Sequence, residues 1–175
     1  ISSAHFNNAD LNVFKKWNGY NTKNINTVKE SQKLNVQIMK ALGKSSIPLP
    51  LGCDRQIGRA WGQDDARPSE ASKHIIYAAR NLQDGEKLDI ITLGALSNIA
   101  SALIEAPDIV YKIRLISLGA RYNPTTNTWN KNEFNIRNDL NAFDFLLNLE
   151  NLDFTIMPLD AALPLQFKRK DTFER

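Results

Sequence analysis

Cysteine is almost missing from this chain: Cys53 alone occurs among 175 residues. No intramolecular disulfide can form, and no cysteine zinc site can be built. Lying beside Gly52 after an apolar run, Cys53 reads as a small buried or half-buried thiol. Histidine is nearly as scarce, with only His5 and His74. His74 falls inside a helical pattern, where a structural or solvent-facing role outweighs a catalytic one. His5 belongs to the opening segment, and its alternation with Ala4 and Phe6 leaves its direction open. No apolar run approaches the ~18 residues that a membrane span requires. Neither Gly-x-Gly-x-x-Gly nor a phosphate loop occurs, and there is no Gly-x-Ser-x-Gly elbow. Charge of one sign is also lacking, since 22 Lys plus Arg stand against 19 Asp plus Glu for a net +3. The basic residues are scattered apart from Lys168, Arg169 and Lys170, so the basic face that nucleic acid demands is missing. The composition therefore points away from nucleic-acid and membrane partners.

What is present is an ordinary globular composition, 42% hydrophobic and 23% charged, in a chain long enough for a real core. Ile1 to Phe6 reads like the tail of a β-strand, Ala9 to Trp17 as a short helix, and Asn18 to Asn21 as a polar turn. A long helical pattern runs from about Thr27 to Leu42, with Val28, Leu34, Ile38 and Leu42 at helical spacing and Gly43 as the stop. Ile47-Pro48-Leu49-Pro50-Leu51 predicts a short strand near a sheet edge, because proline cannot donate to a ladder. A polar loop follows from Asp54 to Pro68 and contains the acidic pair Asp64-Asp65. Ser69 then caps a helix ending near Leu82 with Ile75, Ile76 and Ala79 inward.

After the Asp84-Gly85 turn comes the clearest unit. Leu88 to Leu93 is a strand, Gly94-Ala95-Leu96 a tight turn, and Ser97 the cap of a helix reaching about Glu105. Pro107 ends that helix, and Ile113 to Leu118 is a second strand. Strand, helix and strand within ~30 residues make a βαβ unit, which requires parallel strands. Both strands are nearly continuous in apolar character, as befits a sheet covered on both faces. A polar loop spans Gly119 to Asn132. Asn138 or Asp139 caps a further helix with Leu140, Phe143 and Leu147 on one face, and Asp153 to Met157 is a last strand. The expected fold is one α/β domain over residues 1–175, with an open, mostly parallel sheet and helices on both faces. Both ends of the chain read as cut.

Ligands of open α/β sheets bind beyond the carboxyl ends of the strands. Phe6-Asn7-Asn8, Leu93-Gly94-Ala95 and the loop after Leu118 belong there. That loop and its continuation hold Asn123, Asn127, Asn130, Asn132, Asn135, Asn138 and Asn141. Amides at such density donate and accept at once, which suits a polyhydroxylated ligand; a solvated loop has the same composition, since asparagine favours turns. If Glu133-Phe134-Asn135-Ile136 is extended, Glu133 and Asn135 share a polar face while Phe134 and Ile136 point inward. An amphipathic edge strand without a ligand reads identically. No internal motif supplies a catalytic set.

Several of these segments, taken together, resemble the inosine-uridine nucleoside hydrolases. Thr92-Leu93-Gly94-Ala95-Leu96-Ser97-Asn98-Ile99-Ala100 is similar to the family's Gly-Pro-Leu-Thr-Asn-Ile-Ala type of strand-to-helix run. Leu118-Gly119-Ala120 resembles its Met-Gly-Gly turn, Glu133-Phe134-Asn135-Ile136 its Glu-Phe-Asn-Ile, and Ile47 to Gly52 its Ile-Pro-Val-x-x-Gly. Ile1 to Asn7 is similar to a strand ending in Gly-Asn, with Phe6 in place of the glycine. The resemblance implies a Rossmann-like core that cleaves the N-glycosidic bond of ribonucleosides with a calcium-bound water. It implies that Leu93 offers its backbone carbonyl to Ca2+, that Asn7, Asn127, Glu133 and Asn135 hold ribose hydroxyls, and that Leu118 lines the sugar pocket. It also implies a small nucleoside or riboside as ligand and a homodimer or homotetramer. The family's Asp-x-Asp-x-x-x-Asp-Asp cluster, on a strand preceding the Ile1 segment, has no counterpart here. Its later His-Asp pair and the loop histidine aligned with Arg59 to Pro68 have none either, so no catalytic residue is expected within this chain. A non-catalytic relative that binds sugars or nucleosides is the alternative.

Overall fold

The computed structural model describes residues 1–6, 25–58 and 65–165. Asn7, Asp64, the expected Ala9–Trp17 helix and the Asn18–Asn21 turn, and the Lys168-Arg169-Lys170 run lie outside the described residues. Helix α1 spans Thr27–Ala41, with the Asn26 side chain accepting from the Lys29 backbone N–H as its cap. It buries Thr27, Val28 and Met39. The expected apolar stripe is only partly inward: Leu34, Ile38 and Leu42 are exposed. The stripe continues beyond Val28 without finding a surface to pack on among the described residues.

Helix α2 (Glu70–Arg80) starts at the expected Ser69, in a reciprocal capping box in which Ser69 accepts from Ser72 N and Ser72 Oγ bonds Ser69 N. Ala79 is fully buried, Ile75 and Ile76 pack against the core, and His74 is exposed. After Gly85, at φ +85°, the chain enters β1 (Leu88–Thr92), then α3 (Ser97–Glu105), a 3-10 turn over Pro107–Lys112, and β2 (Ile113–Leu118). β1 and β2 are parallel, with Leu88 opposite Ile113 and Thr92 opposite Ser117. The βαβ unit is therefore formed as its apolar runs predict.

Four local expectations are corrected. The Gly119–Asn132 stretch contains an antiparallel ribbon, β3 (Arg121–Asn123) with β4 (Thr128–Asn130). Tyr122 faces Trp129 across it with ring centroids 4.9 Å apart, and aromatic cross-strand pairs of this kind stabilise such ribbons. Glu133–Ile136 is not extended: Glu133 caps the short helix α4 (Phe134–Asn138). Neither Ile1–Phe6 nor Ile47–Leu51 forms a strand. Their polar groups go elsewhere, with Ala4 N on Ser31 Oγ, Phe6 N on Thr27 Oγ1, Leu49 O on Gln32 Nε2 and Leu51 N on Glu70.

Helix α5 (Leu140–Leu147) is capped by Asp139 and buries Ala142, Phe143 and Leu146. Leu140 and Leu147 are exposed, which shifts the core face from the expected one by about one residue. Strand β5 (Asp153–Met157) adds parallel to β2, giving the order β1-β2-β5, and α6 (Leu159–Ala162) follows. The core gathers Leu96 at the cap of α3, Ile99 and Leu103 within it, Ile109, Ile113 and Leu115, and Phe143 and Leu146 of α5, with Ile57 from the long loop. β1 has no further strand on its outer edge among the described residues, and Ile91 and Leu93 are 69% and 73% exposed. No described helix is long and apolar enough to cross a membrane.

Candidate functional site

Because Thr92 pairs with Ser117, Leu93 and Leu118 stand side by side at the carboxyl ends of β1 and β2. A cleft of about 800 Å³ opens along the outer edge of β1, between that edge and residues 1–6. Its polar wall includes His5, Thr92, Asn98, Asn135 and Asn138, and Leu93 and Phe134 line it as well. It is of the size that holds a small organic ligand. Thr92 lines the cleft, and its hydroxyl, like that of its register partner Ser117, is buried without a hydrogen-bond partner among the described residues.

Asn135 is placed by its neighbour. The Glu133 carboxylate accepts from the backbone N–H groups of Asn135 and Ile136 at 3.0 and 3.2 Å and so starts α4. Ile136 anchors that helix in the core, 1% exposed, and its side chain covers Gly119, where a Cβ would come within 2.6 Å of it. The Asn135 amide then donates to the Leu118 carbonyl at 3.0 Å, tying α4 to the end of β2. Phe134 accordingly lines the cleft instead of pointing inward.

Asn98 holds the opposite wall. Its oxygen accepts from Cys53 N at 2.8 Å, and its amide donates to Ser3 O at 2.9 Å. Gly52 sits in the same junction, where a Cβ would stand 2.0 Å from Ser3 O. Cys53 is buried as expected, donating to Arg67 O, and burial pushes its thiol above the ordinary value despite bonds to Ser69 and Ser101.

Behind the wall runs a buried chain of polar side chains. His5 Nε2 lies 2.7 Å from Ser97 Oγ, which donates to Asp139 Oδ2 at 2.5 Å. Asp139 is fully buried and also accepts from Ile57 N and Ala142 N, each at 2.9 Å. Burial lowers the His5 pKa, opposed first by the charge of Asp139 and then by that of Asp54. Ser97 is not the expected helix cap. Leu96 holds the cap position without a side-chain bond, and the serine hydroxyl is turned to Asp139 instead.

Of the residues expected at the site, Leu93 and Asn135 line the cleft. Leu118 does not line it, and touches one lining residue through its carbonyl, which accepts from Asn135. Glu133 is 5% exposed and engaged in capping. Asn127 stands apart in the exposed β3–β4 turn at φ +51°, accepting from the Tyr122 hydroxyl at 2.8 Å. The sequence pointed to Asn138 only as one of the loop amides, and it did not reveal Asn98 as a lining residue or the His5–Ser97–Asp139 chain. Asn98 and Ser97 lie within the family-like run after β1, but the link to His5 spans 92 residues and no local pattern reveals it.

The model of the family described as inosine-uridine preferring nucleoside hydrolase matches residues 21–175. The chain belongs to that family. Solved nucleoside hydrolases share the fold. A purine-preferring ribonucleoside hydrolase from Gardnerella vaginalis aligns at 23% identity and TM-score 0.63, over 82% of this chain and 52% of its own. A plant nucleoside hydrolase, PpNRh1, aligns at 17% identity and TM-score 0.58, over 76% of this chain and 48% of its own. An inosine-guanosine nucleoside hydrolase aligns at 16% identity and TM-score 0.61, over 78% and 51%. This nucleoside hydrolase family member thus spans about half the length of those solved relatives. No curated protein sequence matches it.

Calcium, which the sequence resemblance implies, is held by oxygen ligands, chiefly carboxylates and carbonyls. Among the described residues no group of three or more His, Cys, Asp or Glu is placed to hold a metal ion. Leu93 brings one backbone carbonyl, whereas Ca2+ takes about six to eight oxygens. The described residues do not by themselves fit calcium.

Proposed function

We propose that this chain carries the ribose-facing part of a nucleoside N-ribohydrolase. The observation that carries the reading is the convergence of Asn98, Asn135, Asn138 and His5 on one cleft at the carboxyl end of a parallel sheet. Amides and an imidazole there match alternating donors and acceptors of vicinal hydroxyls. Asn135 gives one of its two amide hydrogens to the Leu118 carbonyl, so its oxygen and its second N–H are offered to sugar hydroxyls. Glu133 Oε2 holds α4, and Oε1 is the atom assigned to the ligand. Leu118 acts on the sugar only by holding Asn135. Asn7 and Asn127 enter this reading only through the family resemblance, Asn127 standing in the exposed β3–β4 turn.

In this reading the domain binds and orients the ribose and dries one side of it. A calcium ion would have to take its carboxylates from outside the described residues, and would there supply activation of the attacking water. The edge of β1, unpaired among the described residues and with Ile91 and Leu93 exposed beside the cleft, has room for a further strand. The test is release of ribose from inosine and uridine with and without calcium. Calcium-dependent release abolished by EDTA supports the hydrolase. Ribose binding that is indifferent to EDTA, without release, transfers the assignment to a non-catalytic nucleoside- or sugar-binding relative, the reading favoured by the lack of a metal-holding cluster among the described residues. Absence of both binding and release refutes the site.

A further inference from the structure

The buried chain behind the cleft has a direction. Ser97 has a single hydroxyl hydrogen, and it goes to Asp139 Oδ2 at 2.5 Å. What Ser97 Oγ keeps for His5 is a lone pair, so Nε2, 2.7 Å away, brings the hydrogen of that bond. A neutral imidazole has only one N–H, which leaves Nδ1 as an acceptor. We propose that Asp139, acting through Ser97, holds His5 in its Nε2–H form and so makes Nδ1 a fixed acceptor on the cleft wall, suited to a sugar hydroxyl. His5 is the group that meets the ligand; Ser97 and Asp139 are positioning residues.

The surroundings favour this order over its reverse. Reversal needs a hydrogen on Asp139 Oδ2, the oxygen that also accepts from Ile57 N at 2.9 Å. Oδ1 is occupied by Ala142 N, so both oxygens are used as acceptors. Burial lowers the His5 pKa and keeps the ring neutral at pH 7, the condition under which a tautomer is defined. The order also has a use. A hydroxyl rotor alone would let His5 present either nitrogen form, whereas a buried carboxylate two bonds away removes the choice, as oriented histidines require.

The choice of a sugar as ligand rests on the proposed function, while the proton order does not. Nitrogen-15 NMR of the full chain at pH 7 reads the order directly. The expected result is a pyrrole-type Nε2 and a pyridine-type Nδ1 for His5, with the Nδ1 resonance shifting as D-ribose is added. Ser97→Ala should give a mixed tautomer and ribose affinity about tenfold weaker, and Ser97→Thr should restore both. Should Ser97→Ala fail to fold, the wild-type and Ser97→Thr spectra carry the test. An Nδ1–H form or an imidazolium in the free wild-type chain overturns the proposal, and an Nδ1 resonance indifferent to bound ribose overturns the acceptor role. An Nε2–H form in a chain that binds no ribose supports the proton order and counts against the nucleoside reading alone.

Discussion

Replacing Asp139 with alanine removes one side chain that serves three separate segments. Its carboxylate accepts from Ile57 N in the long loop, Ser97 Oγ on α3 and Ala142 N in the first turn of α5, and it is fully buried. Loss of the α5 cap costs about 1 kcal/mol. Ile57 is 0% exposed, and leaving its N–H without an acceptor costs ~1–3 kcal/mol. Ser97 suffers least, since its hydroxyl can rotate toward His5. The sum is a destabilisation of about 2–4 kcal/mol. With a urea slope of about 2 kcal/mol/M, the unfolding midpoint followed by far-ultraviolet circular dichroism falls by ~1–2 M. Asp139→Asn keeps one acceptor oxygen and should lose roughly half as much. A midpoint for Asp139→Ala within ~0.25 M of wild type, a change of ~0.5 kcal/mol, would refute the assignment of these bonds as structural. So would an Asn variant less stable than the Ala variant.

Other consequences are equally direct. Gly52→Ala sets a Cβ 2.0 Å from the Ser3 carbonyl and 2.9 Å from the Asn98 amide, so it should displace residues 1–6 and lower the urea midpoint; an unchanged midpoint contradicts the packing of that segment. Cys53, buried with its thiol pKa raised, should react with iodoacetamide only as fast as the protein opens, and a rate equal to that of the urea-unfolded chain counts against its burial. His5 titrates below its ordinary value in the folded chain, so the unfolded state binds more protons once the pH falls below about 6.5. Stability is therefore undiminished above that pH and declines as the pH drops from 6.5 toward the lowered folded value. His5→Gln should flatten that decline in urea titrations at pH 5–7, and an identical slope in the variant would contradict it.

The regular elements were legible because their causes are local. β1 and β2 follow from apolar, β-branched runs with a helix between them, and α2 follows from Ser69 and the spacing of Ile75, Ile76 and Ala79. The family-like run around Leu93 to Ala100 and the Glu133–Ile136 segment both contribute residues to the cleft lining. Predictions failed where a residue had two possible partners at different distances. Ser97 could cap its own helix or reach a carboxylate 42 positions away, and the buried carboxylate won. Glu133–Ile136 alternates like a strand, yet the Glu133 side chain satisfies two backbone N–H groups and starts a helix. Leu34 and Ile38 show helical periodicity, but periodicity cannot say what packs against it, and both face outward.

Sequence by itself determined the parallel α/β character, the family, and the amide-rich content of the loops beyond β1 and β2, because periodicity, capping residues and ordered motifs depend only on neighbours in the chain. Only tertiary structure decided which asparagines line the cleft, that Asn127 stands apart from it, and that His5 is joined through Ser97 to Asp139. The physical reason is range. A hydrogen bond is selective to within a few tenths of an ångström, and the partners that satisfy a buried polar group are chosen by how helices and strands pack, not by their separation along the chain.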